Sequence, residues 1–354
     1  MPAKRLRIGV LFGGRSAEHE VSLLSATNVM AALEPAKYDA VPIFVTREGQ
    51  WLLSRFEDGS LATPSAGTQL CLVPGGHGRM LAIPASGAAH DLPRLDILFP
   101  VLHGLHGEDG AVQGLAEVAR IPHAGCGILG SAAALDKDIA KRLLKAAGVP
   151  VARSVTIDEG SAPSLTDLED QLGLPVFIKP ARQGSSVGVA KVNGSQEFDR
   201  ALAEAFQHDR KLLAEEFVRG REIEYSVLES PTGELFVSRP GEIVPAESHG
   251  FYNYNAKYIG ENGAALIVPA ELPPEVEEAM RATAAKAFRA LGCDGMARVD
   301  FFLMPDMTFL INELNTIPGF TNISMYAKAM AASGVSYPEV IDRLVAHGLA
   351  RANR

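Results

Sequence analysis

Residues 297–315 place two acids, Asp300 and Glu313, on the strands of an apolar hairpin. The runs Ala297–Leu303 and Thr308–Asn315 read as strands, and Pro305-Asp306-Met307 between them reads as the turn. With the turn centred between 306 and 307, Asp300 faces Glu313. Asn315, two residues on, shares the face of Glu313. Their neighbours include Phe301, Phe302, Leu303, Phe309, Leu310, Ile311 and Leu314. Carboxylates are costly to bury in such surroundings without a cation. Two kinds of cation compete for them. Hard oxygen donors with one amide oxygen suit Mg²⁺ or Mn²⁺, above all when phosphates complete the shell. Arg298 lies two residues before Asp300 and can pair with an acid instead, or act as an anion or oxyanion donor.

A chain of 354 residues predicts two or three domains at roughly 100–200 residues each. Acidic residues outnumber basic ones by 42 to 33, a formal charge of −9, and no long basic run interrupts them. Nonspecific binding to nucleic acid or to an acidic membrane is therefore not expected as the main task. The 3 cysteines, at 71, 126 and 293, are far apart and read as free thiols rather than a disulfide or zinc framework. The N-terminal apolar run is broken by Gly13, Gly14 and Arg15, too early for a signal peptide. No stretch reaches the roughly 20 apolar residues of a membrane helix, so a cytoplasmic protein is expected.

Along the first part, strands at 6–12, 40–46 and 95–101 alternate with helices at 20–33 and 112–120. That alternation argues for a mostly parallel α/β, Rossmann-like sheet, with ligands beyond its strand C-termini. Gly13-Gly14 and His103-Gly104 lie at those ends. The segment 48–89, rich in Gly, Ser, Ala and Pro, reads as an elaboration on the sheet edge. A helix follows at 132–147, carrying Lys137. Strands are then expected at 175–179, 187–192, 211–218, 222–229 and 235–244, with a helix at 196–207, and this pattern suits an antiparallel or mixed sheet. Residues 246–263 read as a long functional loop or lid. Helices close the chain at 275–291, 325–332 and 338–346, around the acidic hairpin.

Between the strands at 175–179 and 187–192 runs Ala181-Arg182-Gln183-Gly184-Ser185-Ser186. It is not a P-loop, because its lysine, Lys179, precedes the glycines and strands flank it. Gly184 and Gly188 allow close backbone approach, and two hydroxyls stand between them. By itself this is either a phosphate clamp or a surface hairpin turn.

Taken in order, Leu11–Ser22 with Gly13-Gly14 and Ser16-Ala17-Glu18, His103-Gly104, Gly107-Glu108-Asp109-Gly110, the glycine loop, Ala256-Lys257-Tyr258 and Asn312–Thr321 closely resemble the D-alanine–D-alanine ligases of the ATP-grasp superfamily. The resemblance covers nearly the whole chain. It implies an ATP-grasp fold, α/β and α+β, behind a parallel α/β domain. It places a substrate domain at 1–135, a central ATP-grasp subdomain at 136–221 and a C-terminal one at 222–354. It implies ATP and two Mg²⁺ or Mn²⁺ ions, and a homodimer.

The implied roles follow the motifs. Glu18 would hold the ammonium of the first D-alanine, with His103 near its carboxylate. Lys137 and Lys179 would contact ATP phosphates under a loop containing Gly184, Ser185 and Ser186. Glu215, Glu216, Phe217 and Val218 would form the adenine strand, and Glu222 would take the ribose. Glu216 departs from the lysine that several relatives carry. Lys257 and Tyr258 would belong to the lid, with Tyr258 joining Ser185 and Glu18 in one hydrogen-bond network. Arg298 and the backbone of Gly319 would face the reacting carbonyl, and Ser324 and Met325 the second D-alanine. Asp300, Glu313 and Asn315 would hold the two metals. The alternatives are a D-alanine–D-lactate ligase, another ATP-grasp carboxylate–amine ligase, or a nucleotide-binding regulator without turnover. Tyr258 favours an amine as the nucleophile.

Overall fold

The first apolar run forms the strand Leu6–Gly13 and stops where the backbone must turn left-handed, at Gly13 and Gly14 with φ 93° and 96°. A Cβ at position 13 would lie 2.4 Å from the Val45 carbonyl oxygen, so the close approach also requires glycine. Helix His19–Ala32 follows. The computed structural model describes residues 5–245, 264–321 and 323–353. None of the described helices is long and apolar enough to cross a membrane.

Leu6–Gly13 pairs in parallel with Tyr38–Val45 on one side and Ile97–Pro100 on the other. The remaining strands of this seven-stranded sheet, Trp51–Leu53, Gln69–Leu72, Met80–Ile83 and His90–Leu92, extend it antiparallel from Tyr38–Val45. The mostly parallel sheet expected from the sequence is thus parallel only at the strands next to helices. Parallel pairing needs a crossover, usually a helix, and no described helix lies between Tyr38–Val45 and His90–Leu92.

A second, four-stranded sheet runs in the order Ser154–Asp158, Lys211–Glu216, Val176–Pro180, Ala190–Val192, all antiparallel. Helices Leu165–Leu172 and Ser195–Ala205 cover it through Leu168 and Phe198. In the third sheet, Arg221–Glu229 is flanked by Met296–Leu303 on one side and Gly241–Pro245 on the other, and Phe309–Asn315 pairs with Met296–Leu303. Helix Pro274–Ala290 packs beneath it with Met280 and Phe288 in the core.

Several elements differ from the sequence reading. The helix expected at 132–147 is two helices, Ile128–Leu135 and Lys137–Ala146. They break at Asp136, whose extended backbone lets its carboxylate accept the Ile139 N–H at 3.2 Å as an N-cap. Lys137 therefore opens a helix. The strand expected at 187–192 shrinks to Ala190–Val192, because Ser185, Ser186 and Gly188 have positive φ. The strand expected at 235–244 splits into Leu235–Val237 and Gly241–Pro245 around Pro240.

The acidic hairpin has the expected facing residues by a different route. Leu303 pairs with Phe309 and Phe301 with Ile311, so the turn is centred on Asp306, not beyond it. A bulge then shifts the register by one, leaving Asn312 as the extra residue and pairing Asp300 with Glu313 and Arg298 with Asn315.

The last two helices, Met325–Ala332 and Tyr337–Arg351, return to the first sheet. Tyr326, Met330, Leu344 and Val345 share one core with Ile8, Val10, Phe12 and Phe99. This return holds the turn after Asn315 against the strand ends at Gly14 and His103.

Candidate active site

Three adjacent strands set Glu224, Asp300 and Glu313 in one cross-strand row, and Ser226, Arg298 and Asn315 in the next. Residues two apart along a strand share a face. Three carboxylates side by side repel one another, and the fold answers with cations. Arg298 donates Nε and Nη2 to the two oxygens of Asp300 at 2.7 Å each, and its Nε lies 3.0 Å from Glu224 Oε2. Burial works against the guanidinium charge, but Asp300 and Glu224 outweigh it and push its pKa well above the usual value. Lys137 Nζ lies 3.3 Å from Glu313 Oε2. Asn315 Nδ2 donates to Asp300 at 3.0 Å.

The ion pair is therefore formed in the protein alone. Among the described residues, no three His, Cys, Asp or Glu side chains converge as a complete metal cage. Two carboxylates and an amide oxygen are instead an incomplete hard-oxygen shell, of the kind that phosphates and water complete around Mg²⁺. The donor set fits such a cation.

The second sheet delivers Lys179, and helix Lys137–Ala146 delivers Lys141. Lys179 Nζ donates to Glu215 Oε1 at 2.5 Å, and Lys141 Nζ lies 2.6 Å from Glu215 Oε2. Burial alone would raise the Glu215 carboxyl, but the two lysine charges hold it below its ordinary value. Burial lowers the pKa of Lys141 against the pull of Glu215. The carboxylate of Glu215, expected on the adenine strand, is thus spent on two ammonium groups. Glu216 accepts the N–H and the Nε–H of Arg153 at 2.7 and 2.6 Å. Phe217 lies against Phe177, with the ammonium of Lys191 4.3 Å from its ring centre. Val218 follows this strand, and Glu222 enters the next one in register with Phe302 and Ile243.

The glycine loop is held at both ends. Lys137 donates its N–H to the Ala181 carbonyl at 2.9 Å and its ammonium to the Gln183 carbonyl at 2.7 Å. Ser185 and Ser186 have φ of 48° and 58°, a strained pair of the type found at ligand clamps. The Ser185 hydroxyl donates to Glu18 Oε1. Glu18 Oε2 fits between two glycines: a Cβ at Gly184 would lie 2.6 Å from it, and one at Gly104 2.8 Å.

Beside Glu18, His103 bridges the first sheet to the turn at 316–320. Its Nδ1 lies 2.8 Å from the Ile317 carbonyl, and its Nε2 3.0 Å from the Ser25 hydroxyl. The Phe320 N–H donates to the same hydroxyl oxygen at 3.2 Å. Burial lowers the His103 pKa, so the ring is neutral, donating from Nδ1 and accepting the Ser25 proton at Nε2. Ser324 opens helix Met325–Ala332, and its Oγ accepts the Thr321 N–H at 3.0 Å. A Cβ on Gly319 would come within 3.1 Å of that oxygen. Met325 packs on the backbone of Gly241. Lys257 and Tyr258 lie outside the described residues.

Glu108, Ser25, Lys141 and Glu224 carry no role in the sequence reading. Glu108 accepts the Gly104 and Ile317 N–H groups at 2.8 Å each, binding the first sheet to the turn. Lys141 could have been found as the i+4 partner of Lys137 on one helix face. Glu224 could have been found two residues after Glu222 on one strand face. Ser25 has no signal beyond its position in a helix.

Burial, helped by the charge of Glu18, raises the Glu108 carboxyl to about 8. The folded protein therefore keeps a proton that the unfolded chain releases near its ordinary pKa of about 4.3. This group alone makes stability fall as pH rises between those values. Glu108→Gln is expected to flatten that fall in urea-unfolding measurements across the window. An unchanged slope would assign the pH dependence to another group.

Residues 7–126 match the family described as D-ala D-ala ligase N-terminus, and residues 143–346 match its C-terminus. The D-alanine–D-alanine ligase A of Brucella melitensis is 65% identical over 353 residues, covering 100% of both chains. The D-alanine–D-alanine ligase structure from Coxiella burnetii superposes with a TM-score of 0.84 at 35% identity, covering 99% of this chain and 96% of that one. The VanG D-Ala:D-Ser ligase from Enterococcus faecalis gives 0.83 at 36% identity, covering 97% and 99%.

Proposed function

The chain belongs to the D-alanine–D-alanine ligase family, and from that membership we propose how its residues carry out the ATP-dependent joining of two D-alanines for peptidoglycan precursors. A carboxylate does not acylate an amine at useful rates in water, so its oxygen must first become a leaving group. The γ-phosphoryl group of ATP passes to the first D-alanine carboxylate, giving an acyl phosphate and ADP. The free amine of the second D-alanine attacks the carbonyl. The tetrahedral intermediate expels phosphate, which leaves with the carbon–oxygen bonding pair.

The observation that carries this reading is the contact of Ser185 with Glu18, which brings the glycine loop onto the strand end of the first sheet. Glu18 receives the ammonium of the first substrate there. Neutral His103, fixed at both ring nitrogens, shapes the wall beside it. Lys137 and Lys179 take the nucleotide phosphates, and Gly184, Ser185 and Ser186 cover them. The segment 215–218 and Glu222 line the nucleoside, with recognition of adenine resting on backbone groups. Two Mg²⁺ or Mn²⁺ ions held by Asp300, Glu313 and Asn315 would neutralise phosphoryl charge. Arg298 and the Gly319 N–H stabilise the oxygen charge that grows on the carbonyl. The start of the helix at Ser324 and Met325 faces the second carboxylate.

We draw the domain boundaries at 1–135, 136–221 and 222–354, and place the reaction in the cytoplasm, where ATP is available. A homodimer accounts for Leu115, Val118, Ile128, Leu129, Ile139 and Leu143, apolar side chains left exposed on three successive helices. Leu129→Glu is expected to convert a sedimenting dimer to a monomer, and a wild-type monomer would remove this assignment.

Product analysis tests the reaction. Wild-type protein with ATP, Mg²⁺ and D-alanine is expected to give D-alanyl-D-alanine with equal ADP and phosphate. L-alanine, D-lactate and D-serine serve as parallel substrates. Phosphate release without dipeptide would move the substrate assignment to another carboxylate–amine pair.

A further inference from the structure

Lys141 takes no part in the reaction above, yet its buried ammonium sits beside the residues that do. It is 3% exposed, lies 2.6 Å from Glu215 Oε2 and donates to the Ala152 carbonyl at 3.3 Å. The other oxygen of Glu215 takes Lys179 at 2.5 Å. Lys179 lies on the strand Val176–Pro180 that leads into the glycine loop, whereas Lys141 approaches Glu215 from helix Lys137–Ala146. Two ammonium groups and one carboxylate carry a net charge of +1. Without Lys141, Glu215 and Lys179 would cancel, and a neutral buried pair attracts a polyphosphate far less than a net cation does.

We propose that Lys141 is a positioning residue for nucleotide binding: by occupying one oxygen of Glu215, it leaves the Lys179 ammonium an uncancelled positive charge for the phosphates. The proposal rests on the reading of Lys179 as a phosphate contact. A helix-packing role for Lys141 predicts lost stability alone. The charge role predicts lost affinity for ATP that returns when Glu215 is neutralised as well.

The test is calorimetric binding of ATP with Mg²⁺, and steady-state kinetics, on wild type, K141M, K141R, E215Q and K141M/E215Q. K141M is expected to weaken ATP binding about tenfold and raise KM for ATP, with KM for D-alanine unchanged. K141R keeps wild-type affinity. K141M/E215Q restores the net charge of +1 and is expected to bind ATP more tightly than K141M does. Unchanged ATP affinity in K141M, or a double variant no better than K141M, overturns the proposal. If K141M does not fold, K141R, which keeps the charge at position 141, and the double variant, which keeps the net charge of +1, still decide it: loss of ATP binding in a folded double variant overturns it, and retention in both supports it. A wild-type protein that binds no ATP would instead defeat the nucleotide reading of Lys179 itself.

Discussion

Arg298→Ala is expected to lower kcat by about 10²–10³-fold, the range for removing one preorganised donor from a developing oxyanion. The same change strips the carboxylate row of its guanidinium. Asp300 loses both charge-assisted hydrogen bonds, and Glu224 loses its ion pair, inside a buried site. Breaking a buried pair from one side destabilises by about 3–5 kcal/mol, because the partner charge stays behind. Added Mg²⁺ should therefore raise the melting temperature of R298A more than that of wild type, since it supplies the missing cation to the same oxygens. R298K tests geometry against charge: it keeps the cation but cannot present two parallel N–H donors to Asp300. Its stability should recover further than its turnover. Full turnover in R298A would remove Arg298 from the reacting carbonyl and leave it a structural counter-ion only.

The ion pair of Arg298 and the catalytic use proposed for it share one face because of the strand period. Alternation puts 298, 300, 313 and 315 on one face, and the sequence alone makes that legible. The facing of Asp300 and Glu313 is also readable, although its cause is not: the bulge at Asn312 corrects a turn centred one half-step earlier than its residues imply. The glycine loop is legible as a loop from Gly184 and Gly188. Its contact with Glu18 is not, because 167 residues separate Ser185 from Glu18 and no local rule spans them. Family resemblance supplied that link, and the geometry gives its physical basis in the two glycines that admit the carboxylate.

The misses share a cause. Lys141 looks like one more polar residue of a helix, and only the packing of helix Lys137–Ala146 brings its ammonium to Glu215 beside Lys179. Glu108 looks like a turn residue in Gly107-Glu108-Asp109-Gly110. Its second hydrogen bond goes to Ile317, brought there by the return of the last two helices to the first sheet. That return has no signature in periodicity, since an amphipathic helix shows which face is buried but not against what. Asp136 is different. Its position before a charged, apolar-periodic run is a local N-cap signal, and the unbroken helix expected at 132–147 passed over it.

Glu18→Gln is expected to raise KM for the first D-alanine by about 30- to 1,000-fold, the range for removing one partner of a desolvated charge pair. The amide keeps the size of the side chain, so the niche between Gly104 and Gly184 stays filled. What changes is charge and donor sense. The Ser185 hydroxyl can still donate to the amide oxygen, and the glycine loop should close over ATP nearly as before. The predicted signature is therefore a split: ATP affinity close to wild type, and saturation by D-alanine lost. Glu18→Asp tests the opposite limit. It keeps the charge but draws the oxygens back along the chain, away from Ser185, so it should weaken the loop contact as well as substrate binding. A Glu18→Gln protein whose KM for both D-alanines matches wild type would exclude Glu18 as the ammonium ligand and reduce its contact with Ser185 to a loop latch.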